Sequence, residues 1–257
     1  MPERARGEGS RGELRAAAAA LTFLTILPVG RRAELGSEDV SRGSWLFPVI
    51  GAAVGAASAG VAMLLQHHLP VLVVAALTVG VEAILTGAMH VDALADTSDA
   101  LGGRTRQRVL EIMRDHSIGA FGVAAVALDL LVRAACVAAL VETHHLVFLI
   151  VAAALSRATA APLGASLPYA RSEPGNGSLL SKGASVVGAV ASAIIGIAIA
   201  AALVGTDAIT PCAAAVLLTI ATSVGCRAWL GGVTGDILGA NIELCSTLVL
   251  LAAVWTT

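Results

Sequence analysis

The sequence predicts an all-α integral membrane protein: a polytopic bundle of about seven transmembrane helices with a short N-terminal re-entrant or interfacial segment. Three observations carry this. Of 257 residues, 57% are hydrophobic and 13% charged, outside what a soluble domain of this size solvates. Apolar stretches of about 20 residues recur, the length at which a helix crosses the hydrocarbon core with its backbone polar groups satisfied internally. Lys and Arg occur in alternate connections only, as expected when cationic loops stay on the cytoplasmic side.

Taken in chain order, residues 1–13 form a polar, basic cytoplasmic tail, and residues 14–257 a single transmembrane helical catalytic domain. The first apolar stretch, 14–29, is short and closed by Pro28. Arg4, Arg6, Arg11 and Arg15 precede it and Arg31 and Arg32 follow, so a simple crossing would strand one basic cluster outside. A re-entrant or interfacial element resolves this. The spans proper are 45–65, 71–89, 118–141, 146–167, 184–204, 209–230 and 238–255. Around them, one set of connections carries Arg31, Arg32 and Arg42, then Arg104, Arg106, Arg108 and Arg114, then Arg171 and Lys182. The opposite set, 66–70, 142–145 and 205–210, has no Lys or Arg. The cationic connections therefore belong on the cytoplasmic side.

Cys136, Cys212, Cys226 and Cys245 stand singly in apolar surroundings without zinc spacing and read as core filler. The pairs His67-His68 and His144-His145 lie in the outer loops and read as interfacial residues. Glu82 is different, because a carboxylate within a span is costly unless it is paired or faces a polar cavity.

Three polar islands share the cationic face. In 87–122, Asp92, Asp96 and Asp99 are spaced i, i+4, i+7, so a helix continuing from the preceding span to Leu101 sets them in one stripe. Such a stripe is either a solvated acidic helix end or the seat of an oxygen-preferring cation, for which Mg2+ with its retained waters is suited. After Gly102-Gly103, Arg104, Arg108, Glu111 and Asp115 recur at helical spacing, so acid and base meet across a turn. Phosphoryl transfer uses both, the metal neutralising developing charge and Arg clamping phosphate oxygens. A second island, 231–243, has four glycines that allow close backbone approach to a ligand. Its Asp236 and Glu243 share a face if helical, with Asn241 between them. The third, 168–177, is a Pro/Gly loop carrying Arg171 and preceded by Arg157.

These islands in this order resemble the cobalamin synthase (adenosylcobinamide-GDP ribazoletransferase) family over nearly the whole chain. The matching segments are 21–29, 47–51, 86–97, 111–115, 118–122, 168–171 and 232–240. The resemblance implies a magnesium-dependent inner-membrane enzyme. In its reaction the 5'-hydroxyl of α-ribazole, or its 5'-phosphate form, attacks the phosphate attached to cobinamide and expels GMP. Carried over by position, Asp92, Asp96, Asp99 and Asp236 become catalytic metal-binding carboxylates, and His90 a base or phosphate ligand. Arg114, Asp115, Arg157, Arg171, Asn241 and Glu243 become substrate-binding residues. Two positions depart from the family pattern: Ala93 stands where Gly is usual, and Ser246 where a second carboxylate is frequent. The implied partners are adenosylcobinamide-GDP, the ribazole acceptor and the bilayer, with no nucleic acid; a homo-oligomer or an association with other cobalamin-assembly enzymes is compatible with this. The rival readings are a CDP-alcohol phosphotransferase-like enzyme, whose Asp-Gly…Ala-Arg pattern is absent, and a small secondary transporter, whose polar groups belong at the bilayer midplane.

Overall fold

Helices and their connections account for the fold, and one isolated parallel bridge, Tyr169 to Val233, is the only extended pairing among the described residues. The computed structural model describes all residues except 1, 28, 30–35, 116, 174–175 and 183–184, and all of their side chains except those of 2–11, 176–177 and 182. Arg4, Arg6, Arg11, Arg31, Arg32 and Lys182 thus lie outside the described side chains.

Helix α1, Pro2–Leu24, and the short α2, Ser37–Gly43, precede the first span. α1 is not among the helices long and apolar enough to cross a membrane, in keeping with the interfacial reading of 14–29. It is pinned at the foot of the bundle: a Cβ on Gly43 would collide with Ala16, and Phe23 stacks on Phe47 with ring centroids 5.5 Å apart. A 3-10 turn leads from α2 into α3, Phe47–Leu65, where Pro48 sits in the first turn, a place where its missing N–H costs nothing.

α4, Val71–Thr86, ends at two successive left-handed residues, Gly87 (φ 62°) and Ala88 (φ 54°). The next helix, α5, Met89–Asp99, leaves at 91° to α4. The expected straight continuation of the span to Leu101 is therefore corrected: the carboxylate stripe lies on a separate helix, turned out of the direction of α4. α6, Arg106–Ile112, is capped by Thr105, whose Oγ1 accepts from the Arg108 amide. Arg104 precedes it rather than sharing its face.

α7, Ala120–Glu142, is followed by α8, Val147–Ala158, which runs on through Thr159 into α9, Ala160–Ser166. α10, Asn176–Lys182, is short. α11, Val186–Val204, and α12, Ile209–Leu230, are broken at Gly205 (φ 59°). Ser192 in α11 donates to the Ala158 carbonyl and Ser223 in α12 meets Ser166 at 3.0 Å, so both outer ends return to the α8–α9 terminus and the pair is a hairpin. α13, Gly235–Thr256, closes the chain. Among the described residues five helical stretches are long and apolar enough to cross, or six if the bent α4–α5 pair is one span, and dividing 186–230 at Gly205 brings the number to the seven read from the sequence.

The cationic connections do share one face. Arg106 Nε donates to the Leu230 carbonyl at 2.8 Å and its Nη2 to that of Ala170 at 2.6 Å, stapling three loops together. Small residues let the spans approach: a Cβ at Gly55 would lie 2.5 Å from the Leu149 carbonyl oxygen of α8. One apolar core, including Val74, Leu140, Phe148 and Val249, fills the far half of the bundle, and a second, including Leu24, Phe47, Leu163 and Ile237, lies beneath the loops. Leu72, Ile84, Leu128, Leu131, Ile194 and Leu217 remain exposed around the perimeter, as side chains facing hydrocarbon do.

Candidate active site

A cavity of about 380 Å3 opens among the loops of the cationic face. Its polar lining is Thr22 of α1, His90 and Asp92 of α5, Tyr169 and Arg171 of the 168–177 loop, and Asp236 of α13. Local sequence explains how these converge. Gly231 (φ 66°) ends α12 in the left-handed conformation that glycine adopts at no steric cost, and the chain then pairs Val233 with Tyr169. The Val233 amide donates to the Pro168 carbonyl and the Ala170 amide to that of Val233, both at 2.9 Å. Thr234 caps α13, accepting from the Ile237 amide, which sets Asp236 in the first turn facing Arg171. α5 lies along α13 at contact distance: a Cβ on Gly239 would fall 2.5 Å from that of Ala93. The Ala at 93 is thus accommodated by the Gly opposite it.

The charges here are incompletely answered. Arg171 Nη2 donates to Asp236 Oδ2 at 2.6 Å, while its buried Nε has no partner. Asp92 is exposed, and no ion pair engages it or Asp96 among the described residues. Burial, and after it the charges of Asp92 and Asp236, push the Asp96 carboxyl up to about 6. The Asp96 carboxyl thus feels both Asp92 and Asp236 beside a single guanidinium, although among the described residues no three His, Cys, Asp or Glu side chains form a ready cage. Mg2+ is an ion that one or two carboxylates hold together with waters and substrate phosphate oxygens. His90 is buried in the cavity wall with Nδ1 unpartnered, and burial, then the Arg157 charge, lowers its pKa to about 3, so the ring is neutral.

Asp99, expected beside Asp92 and Asp96, is engaged elsewhere. Its Oδ2 accepts from the Gly119 amide at 2.6 Å and its Oδ1 from Gly122 at 2.8 Å, so it caps the N-terminus of α7. A Cβ at Gly119 would lie 2.5 Å from Asp99 Oδ1, which is why glycine occurs there. Arg114 pairs with Glu173 at 3.1 Å and Asp115 Oδ1 accepts from the Ser117 amide; neither lines the cavity.

Arg157, Asn241 and Glu243 also lie off the cavity, within the bundle. Arg157 Nη1 donates to Glu82 at 2.7 Å, and Arg133 of α7 bridges Glu82 and Glu243. Asp129 stands 3.9 Å from Arg133 and accepts from Thr247. Asn241 Nδ2 donates to Thr159 Oγ1 at 2.9 Å. Asp236 and Glu243 do share a helix face, but seven residues advance about 10 Å along the axis, so one reaches the cavity and the other this network. Sequence reading missed Asp129 and Arg133; their signal was an intramembrane acid and base four residues apart in 118–141, the spacing of an ion pair on one helix face.

A sequence model for the family described as "Cobalamin-5-phosphate synthase" matches residues 16–254. Three relatives bear the name adenosylcobinamide-GDP ribazoletransferase. That of Klebsiella pneumoniae is 37% identical over 239 residues, covering 91% of this chain and 97% of its own. That of Azorhizobium caulinodans is 39% identical over 253 residues, 91% of this chain and 92% of its own. That of Escherichia coli is 38% identical over 242 residues, 91% and 97% respectively. No solved structure matches.

Proposed function

This chain belongs to the cobalamin-5-phosphate synthase family, and we propose that its cavity transfers the cobinamide phosphate of adenosylcobinamide-GDP to ribazole, releasing GMP. It is a multi-pass membrane transferase of cobalamin biosynthesis, acting at nucleotide-loop assembly. One observation carries the assignment of the reaction to this cavity: Asp236 of α13 and Asp92 of α5, distant in sequence, line one concavity together with Arg171. A hydroxyl of ribazole forms a bond to the phosphorus attached to cobinamide, the bond from that phosphorus to the GMP oxygen breaks, and the hydroxyl proton is released.

The expectation that the 5'-hydroxyl attacks needs correction. A family described as making cobalamin-5-phosphate leaves a phosphate on the 5' oxygen, so the nucleophile is another ribose hydroxyl.

Asp92, Asp96 and Asp236 are the residues that would hold Mg2+. Bound there, the ion would supply charge neutralisation for the attacked phosphate and the departing GMP. Arg171, which lines the cavity and is held 2.6 Å from Asp236, orients a phosphate oxygen through its guanidinium. His90, buried in the cavity wall beside Asp92, would help position the acceptor. Asp99 supports the site through α7, and Arg157 and Glu243 through the buried network. The cationic connections on the cavity's face support an inner-membrane protein with the site toward the cytoplasm.

The test is direct: purified protein in detergent with adenosylcobinamide-GDP, α-ribazole and Mg2+ releases GMP, and omission of Mg2+ stops release. GMP release at the full rate after exhaustive chelation removes the metal role.

A further inference from the structure

The cavity has two kinds of lining. Asp92, Arg171 and Asp236 supply its charge; Ala19 and Phe23 of α1, Val40 of α2, Leu179 of α10 and Ile242 of α13, all in or packed against one buried apolar cluster, give it an apolar wall. The polar group contributed by that side is Thr22, whose hydroxyl already donates to the Val29 carbonyl at 3.1 Å. Phe23 is half-buried and lines the cavity, whereas Phe47, stacked on it at 6° between ring planes, is fully buried and does not. Phe23 is therefore a backed aromatic surface, fixed in orientation, at the edge of a phosphate-type site.

Size and polarity select an occupant. About 380 Å3 is near the lower end of small-molecule sites, room for a nucleoside but not for a corrin macrocycle, which must remain outside the mouth. Two nucleosides take part in the reaction. Guanine carries several edge donors and acceptors, each of which loses water on entering an apolar wall and is costly without a replacement partner. The benzimidazole of ribazole is flat and apolar with one free ring nitrogen, and stacks without such loss. We infer that the α1–α2 wall of the cavity is the subsite for the aromatic base of the ribazole acceptor, with Phe23, backed by Phe47, as the residue that determines base specificity. This rests on the transferase reading above. It also gives the N-terminal interfacial helix a role: α1 supplies a wall of the acceptor site, and the guanosine end of the donor must leave by another side.

The test uses the full chain in detergent, with initial rates of GMP release measured against each substrate separately. Phe23→Leu keeps bulk and apolarity but removes the aromatic face. It is expected to raise KM for α-ribazole about tenfold, with KM for adenosylcobinamide-GDP changed less than twofold. Phe23→Trp is expected to restore the ribazole KM to within about threefold of the wild type. Unfolding temperature monitors folding, and if Phe23→Leu is destabilised, Val40→Phe serves instead, narrowing the cavity at the same wall and raising KM for ribazole alone. A rise in KM for adenosylcobinamide-GDP alone, or equal rises for both substrates, overturns the subsite, as does an unchanged ribazole KM in Phe23→Leu. Absence of GMP release by the wild type is a different result; it overturns the transferase reading and the subsite with it.

Discussion

Two groups of charged side chains sit about 10 Å apart along α13 and behave oppositely. In the bundle, Glu82, Glu243 and Asp129 surround Arg133 and Arg157, and each guanidinium has at least one carboxylate partner. At the cavity, Asp92, Asp96 and Asp236 share Arg171 alone among the described ion pairs. Both groups hold three carboxylates. What separates them is completeness: buried charge in a low-dielectric interior survives only when paired and hydrogen-bonded, whereas a cluster at the membrane edge can keep unanswered negative charge for a ligand to complete. The inner group thus reads as a clamp joining α4, α7, α8 and α13, and the outer group as the place where chemistry occurs.

The comparison can be broken most severely from inside. Arg133→Leu leaves Glu243 and Asp129 as buried carboxylates without their cation, a loss of about 3–5 kcal/mol. The expected outcome is loss of the monodisperse peak in detergent and a collapsed unfolding temperature; a well-folded, active Arg133→Leu protein would deny the clamp. At the cavity the opposite signature is expected. Asp92→Asn and Asp96→Asn should each reduce GMP release by about 100-fold or more, the scale of a lost electrostatic group, with unfolding temperatures unchanged or raised as like-charge repulsion falls.

Asp99 sharpens the boundary between the two behaviours, since it shares the stripe of the cavity group but is fully bonded like the inner group. Asp99→Asn should cost about 1–3 kcal/mol through its weakened cap on α7, with a partial fall in activity that Mg2+ concentration does not rescue. The smallest effect is with pH. Because the Asp96 pKa is raised to about 6, stability of the metal-free protein present below its ordinary carboxylate range is lost as pH rises through about 6. Added Mg2+ should therefore raise the unfolding temperature more at pH 7.5 than at pH 5.

Much of this was legible in the sequence, and the limits have physical causes. The seven spans, the shared cationic face and the three islands follow from apolar run length and loop charge. The turn at Gly87-Ala88 was half visible, because glycine signals a left-handed residue and alanine does not. The inner clamp was nearly invisible: its Arg133 pairs lie 51 and 110 residues away in sequence, and no local pattern reports which face of α7 meets α4 or α13. Asp99 misled because helical spacing gives direction on a helix but not the neighbour waiting there. Arg157 and Glu243, transferred by resemblance as substrate contacts, lie in the clamp, each paired with a charge of opposite sign.

The most direct test of the difference between the two groups is binding of Mn2+, as a paramagnetic stand-in for Mg2+, to the detergent-solubilised protein without substrate. Asp236→Asn should weaken binding at least tenfold, while Glu243→Gln, seven residues on along the same helix, should bind as the wild type does. Equal binding by Asp236→Asn and wild type, or selective loss in Glu243→Gln, would contradict the account.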